Sequence, residues 1–136
     1  MKKVKLSEIK NDKDKITNSE TALEFLKQDL DLTQENVILI GVDTKNQIKF
    51  TKVLFKGGVN CSIIDLKIVL KEVLINSCSG FIIGHNHPSG DLTPSYEDKD
   101  ITRKLKDASN LLDIRLLDHL IFDDEKYISF FEEDLL

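Results

Sequence analysis

At 136 residues the chain is the size of one domain built on one core. Its 40% apolar and 32% charged residues exclude a collagen-like fibre, wholesale disorder and a membrane-embedded protein. The net charge of −5, from 19 Lys and Arg against 24 Asp and Glu, repels a phosphate backbone and disfavours autonomous nucleic-acid binding, although a local basic patch would escape this average.

The longest apolar runs, such as residues 37–42 and 81–84, fall far short of a bilayer span, and the N-terminus lacks the apolar stretch of a signal peptide. A cytoplasmic protein with no membrane contact is expected. Cys61 and Cys78 form neither a disulfide framework nor a CxxC pair, so both are read as reduced, buried thiols.

Residues 1–15 are rich in Lys, Asp and Asn without a sustained period, and are assigned as an N-terminal arm; Val4, Leu6 and Ile9 leave an edge strand open. The domain then occupies residues 16–136. Thr17 and Glu20 have the spacing of a capping box, followed by Ala22, Leu23, Phe25, Leu26 and Leu30 on one face of a first helix. Residues 36–42 form a strand buried on both faces, 43–46 a turn, and 47–55 a second strand, together a hairpin. Gly57 and Gly58 break the pattern, and Ser62 can cap a strongly apolar helix over 64–75, which should be sandwiched in the core. Residues 80–84 make a short buried strand and 85–94 a polar Gly/Pro loop. Thr93 and Pro94 suit the cap and first position of a helix running to about 112. Residues 115–122 and 127–131 are strands joined by an acidic turn. The order αββαβαββ predicts an α/β fold of the α+β type, a single domain whose mixed sheet is flanked by helices.

The chemistry gathers at the end of the third strand. His85 and His87, two of only three histidines, are two apart, and a strand extended through Gly84 turns both imidazoles to one face, as two ligands of one metal require. Asp98, in the first turn of the next helix, shares a face with Ile101, Thr102 and Leu105, where a carboxylate is costly unless paired or metal-bound. Two neutral imidazoles and a carboxylate form the three-ligand set of a catalytic zinc site, with the fourth position left for water. Each part has a plainer explanation. His-x-His alone more often marks a polar strand end, and Ser95 with Asp98 also has capping-box spacing. Those explanations do not account for the coincidence of histidines ending a buried strand, a Gly/Pro loop, and an acid aimed inward.

The string from His85 through Asn86, His87, Pro88, Ser89 and Gly90 to Asp91, with Ser95 and Asp98 following, resembles the JAMM metalloprotease motif of JAB/MPN domains, in the form found in RadC-type proteins. Gln34-Glu35, the run 42–46, and Leu117-Asp118-His119-Leu120-Ile121 also resemble RadC-domain signatures, and the likeness covers roughly residues 17–131. It implies a single JAB/MPN-like domain with cytidine-deaminase-like layering and a mostly antiparallel sheet. It implies Zn2+ bound by His85, His87 and Asp98. Glu35 would be the general base that deprotonates the attacking water, and Ser95 a donor to the oxyanion. By position alone Glu35 is an ordinary acid between a helix and a strand, and its competitor Glu72 falls beside Lys71 on a polar stripe.

His119 lies in a strand and is read as a satisfied structural histidine in preference to a fourth ligand or a group supporting the ligands. Asn86, Ser89 and Asp91 would bond the loop backbone and hold the histidines in place. Two departures from the family pattern stand out. Residues 64–68 replace a His-Pro-Arg-Glu type helix start, and the helix-hairpin-helix segment of full-length RadC proteins is missing, which removes the part best suited to hold DNA. The resemblance implies a zinc metallopeptidase or isopeptidase acting on a peptide or protein of unknown identity, with a homodimer left open. The alternatives are a DNA-repair-associated protein working on or near DNA, as a metal-dependent nuclease or accessory factor, and a non-catalytic interaction module. The complete ligand set speaks against the last.

Overall fold

The hydrophobic periods resolve into helices α1 (Ser19–Lys27), α2 (Leu66–Ile75) and α3 (Tyr96–Leu111), and strands β1 (Glu35–Val42), β2 (Ile48–Gly57), β3 (Gly80–Asn86), β4 (Arg115–Phe122) and β5 (Tyr127–Ser129). The structure, a computed structural model, describes residues 15–57 and 64–136. The element order is the predicted αββαβαββ.

The strands form one sheet in the order β2-β1-β3-β4-β5. Three pairings are antiparallel, and β3 with β4 is parallel, since α3 carries the chain across between them. Alternation along the strands sorts the core into two faces. Val37, Leu39, Phe81 and Ile83 point to the side covered by α2 and α3, where they meet Val69, Val73 and Leu105. Ile38, Ile40, Ile82 and Leu120 point to the other side and pack on Ala22 and Leu26 of α1. Gly84 lets α1 settle on the sheet, because a Cβ there would come within 2.5 Å of Leu26 Cδ1. Among the described residues, no helix is long and apolar enough to cross a membrane.

Helix caps fall elsewhere than predicted. Asn18, not Thr17, caps α1, its side chain accepting the Thr21 amide. Asp65 caps α2 by accepting the Lys67 amide, and the expected cap Ser62 lies outside the described residues, as do Gly58, Cys61 and residues 1–14 of the expected arm. Ser95 replaces Thr93 as the cap of α3, in a reciprocal capping box with Asp98. Each helix start offers several polar residues with capping chemistry, and backbone direction selects among them.

The apolar helix α2 is not sandwiched. It buries Val69 and Val73 but leaves Ile68, Leu74 and Ile75 exposed, because only one side of it meets the sheet. Glu72 is not on a polar stripe; it is buried, and Lys52 of β2 reaches it at 2.7 Å. β2 starts one residue later than expected and runs two further, and β5 stops at Ser129, after which the chain turns. β3 extends to Asn86, which carries His85 into the sheet.

Candidate metal centre

Strand β3 is buried along its whole length and ends at the top of the sheet, so His85 stands on the α3 side with its ring 1% exposed. His87 follows two residues later, just past the strand, its amide donating to Phe122 O at 2.9 Å. Its Nδ1 lies 2.8 Å from Asp91 O. A carbonyl only accepts, so His87 carries a proton on Nδ1, and the neutral ring presents Nε2 as its free acceptor. Gly90, at φ +84°, makes the turn that returns Asp91 toward His87, and its amide donates to His87 O.

The capping box, which competes with metal binding as an explanation in the sequence, is formed, and it engages only one of the two Asp98 carboxylate oxygens. Ser95 Oγ accepts the Asp98 amide at 3.0 Å, and the Ser95 amide donates to Asp98 Oδ2 at 2.8 Å. The other oxygen, Oδ1, faces His85 Nε2 at 3.6 Å. His85 Nε2 and His87 Nε2 are 2.8 Å apart. One ligand atom from each of His85, His87 and Asp98 lies within 4.8 Å of the other two, so the cluster could hold a metal ion.

Burial pushes the His85 imidazole down to about 4, against the pull of the Asp98 carboxylate, and the neighbouring His87 lowers it further. His85 is therefore neutral at pH 7, the form that binds metal. Burial likewise holds His119 well below the usual histidine range.

Glu35 opens β1 and is half-buried. Val37 pairs with His85 at the end of the β1–β3 ladder, and Glu35 lies two residues before Val37 on β1. Alternation assigns Glu35 to the face of Val37 and Leu39, the face of the histidines. Asn86 ties this segment down: Asn86 Oδ1 accepts the Asn36 amide at 2.8 Å, and Asn86 Nδ2 donates to Gln34 O at 2.7 Å. Asn86 is thus a buried strand residue that fixes the Glu35 segment against the histidine strand. Asp91 supports His87 through its carbonyl, and Ser89 Oγ accepts the Asp91 amide at 3.4 Å.

His119 is satisfied, but not apart from the site as the structural reading expected: Nε2 is 2.9 Å from His85 Nδ1, and Nδ1 is 2.6 Å from Thr102 Oγ1. The sequence places Thr102 on the face of Asp98 without suggesting this contact. The pairing of Ile83 with His119 on parallel strands creates it, and no short-range pattern reports that pairing.

A family model described as the RadC-like JAB domain matches residues 16–135. A UPF0758 protein of Clostridium perfringens is 47% identical over 105 residues, 77% of this chain and 46% of its own length. The UPF0758 protein YsxA of Bacillus subtilis is 45% identical over 105 residues, again 77% of this chain and 46% of its own. A UPF0758 protein of Geobacillus thermodenitrificans is 41% identical over 124 residues, 90% and 55% of the two chains. The chain spans about half the length of these curated relatives.

Proposed function

Because the chain belongs to the RadC-like JAB domain family, we propose that it is a zinc-dependent metallohydrolase, a metallopeptidase or isopeptidase, with His85, His87 and Asp98 as ligands. The observation that carries this proposal is the convergence of two imidazole nitrogens and a carboxylate oxygen at the end of one buried strand. Two nitrogens and an oxygen, partly open to solvent through His87 and Asp98, are the donor set of a catalytic zinc site. A zinc ion held there supplies a Lewis acid that polarises a carbonyl and brings the pKa of water to around 7.

The chain's own groups divide the remaining work. The Asp91 carbonyl keeps the His87 proton on Nδ1 and aims Nε2 at the site. The capping bond on Asp98 Oδ2 fixes the carboxylate so that Oδ1 alone turns to the histidines. Glu35, on the histidine face of β1, acts as general base: it takes a proton from the attacking water as the C–O bond forms and gives it to the amine as the C–N bond breaks. Ser95 Oγ accepts the Asp98 amide, so its hydroxyl proton is available to the oxygen on which negative charge develops. The substrate is a peptide or protein amide, a class favoured over DNA by the net charge of −5. We place the activity in the cytoplasm, with support from the free, buried thiol of Cys78.

Elemental analysis of the purified protein beside His87→Ala and Asp98→Ala tests the assignment. Stoichiometric zinc in the parent, lost from both variants, supports it, and a parent that stays zinc-free after zinc is supplied overturns it. Glu35→Gln should retain zinc while hydrolysis of a fluorogenic peptide falls by at least about 100-fold. Unchanged turnover removes Glu35 from its role.

A further inference from the structure

Two groups behind the candidate ligands, Thr102 and His119, form with His85 and His87 a continuous chain of hydrogen bonds. Thr102 Oγ1 lies 2.7 Å from Asp98 O and 2.6 Å from His119 Nδ1. His119 Nε2 lies 2.9 Å from His85 Nδ1, and His85 Nε2 lies 2.8 Å from His87 Nε2. Each ring carries one proton, and the threonine hydroxyl carries one. The protons therefore run along the chain in one of two directions.

In the first direction Thr102 donates to the Asp98 carbonyl, His119 Nδ1 donates to Thr102, and His85 Nδ1 donates to His119 Nε2. His85 Nε2 is then bare, facing the bare Nε2 of His87. In the second direction Thr102 donates to His119 Nδ1, His119 Nε2 donates to His85 Nδ1, and His85 Nε2 donates to His87. The second direction places a proton where a cation would sit. It also leaves two oxygens, Thr102 Oγ1 and Asp98 O, facing each other at 2.7 Å with no proton between them. The two directions thus correspond to a loaded and an empty site.

We propose that Thr102 and His119 are positioning residues that set the tautomer of His85, Thr102 offering through the Asp98 carbonyl the terminal acceptor that lets His85 expose a bare Nε2 to the metal. The inference rests on the zinc reading above and adds to it the residues that make one ligand competent. Its geometry is rigid. His119 is buried, stacked on Phe130 with ring centroids 4.5 Å apart and planes 18° apart, and its carbonyl accepts the Phe130 amide at 3.0 Å. Thr102 is 1% exposed on the inner face of α3, one turn after the ligand Asp98 whose carbonyl it uses. Partners that hold the second nitrogen of a ligating histidine typically change metal affinity by about 10- to 100-fold.

The test is Thr102→Val, which keeps the shape and removes the hydroxyl. In the metal-loaded variant the His119 Nδ1 proton is buried without an acceptor. In the metal-free variant the second direction satisfies every ring proton, so the loss should fall on binding and not on folding. Zinc affinity, measured by competition with a chelator of known affinity, should drop by about 10- to 100-fold, while the urea midpoint of the metal-free protein stays close to that of the parent. Thr102→Ser should restore affinity. A Thr102→Val protein that binds zinc as tightly as the parent overturns the proposal, and so does one whose metal-free midpoint falls in step with affinity. A parent that binds no zinc overturns the metal reading itself, a result told apart by the parent arm alone, and the positioning role falls with it.

Discussion

Asp118 is the group whose removal the structure prices most directly. It is buried on the α1 side of β4, the face opposite His119, and its carboxylate accepts four hydrogen bonds. Ser19 Oγ at 3.0 Å and Ser129 Oγ at 2.6 Å reach Oδ2, while the amides of His119 at 2.8 Å and Phe131 at 3.0 Å reach Oδ1. The side chain therefore clasps α1 and the segment after β5 to β4. Burial nonetheless raises its pKa above 3.8, so the charge itself is held at a cost. In Asp118→Ala the two hydroxyls, 3.2 Å apart, can bond each other. The buried His119 amide loses its acceptor, at about 1–3 kcal/mol, and the part-buried Phe131 amide adds a smaller loss, for about 2–4 kcal/mol in all. Asp118→Asn keeps Oδ1 for both amides and turns an NH2 to two hydroxyl oxygens that can rotate to accept it. It should stay within about 1 kcal/mol of the parent. Urea unfolding of zinc-free protein at pH 7, followed by far-UV circular dichroism because the chain has no Trp, measures both. If Asn is as damaging as Ala, the charge matters and the acceptor geometry does not, and the reasoning fails.

Gly84→Ala should cost about 1–3 kcal/mol, since its Cβ would meet Leu26 Cδ1 at 2.5 Å and Leu26 is fully buried; adding Leu26→Ala should recover part of that loss, and strictly additive unfolding energies would refute the contact. Lys52→Ala leaves the buried Glu72 carboxylate unpaired and should cost about 2 kcal/mol, while Lys52→Met with Glu72→Met restores most of it, as a double-mutant cycle in urea would show. For His85, a folded pKa of about 4 against 6.5 unfolded means the unfolded chain binds more protons between those values. Stability of the zinc-free protein is then fully present above pH 6.5 and falls by about 3 kcal/mol as pH drops toward 4. His119 acts in the same direction, and Asp118, raised from 3.8 by burial, opposes both. Unfolding midpoints that do not change between pH 7 and 4.5 would contradict this.

The cluster of His85, His87 and Asp98 was legible because its residues lie within fourteen positions and each sits on an element with a clear period. His85 and His87 take their shared face from the strand, and Asp98 takes its inward face from the helix. The caps were legible only as neighbourhoods: Thr17 and Asn18, or Thr93 and Ser95, carry the same capping chemistry, and the path of the preceding loop chooses between them. Longer-range facts escaped. An apolar stretch such as 64–75 reports that a helix exists, not how much of it the sheet will cover. Glu72 was placed beside Lys71 by helical spacing, yet its partner Lys52 arrives from a strand 20 residues earlier. His119 meets His85 across a separation of 34 residues, through a parallel pairing that exists only once α3 has crossed over.

The double use of Asp98 makes the start of α3 and the candidate metal site a single mechanical unit. One oxygen closes the first turn of the helix and the other faces the histidines, so fraying of that turn would carry a ligand away. Were an ion held there, opening of the helix end and its release would become one event. Amide exchange in the first turn of α3 would then act as a local gauge of occupancy, slow when the carboxylate is engaged at both oxygens and fast when it is not.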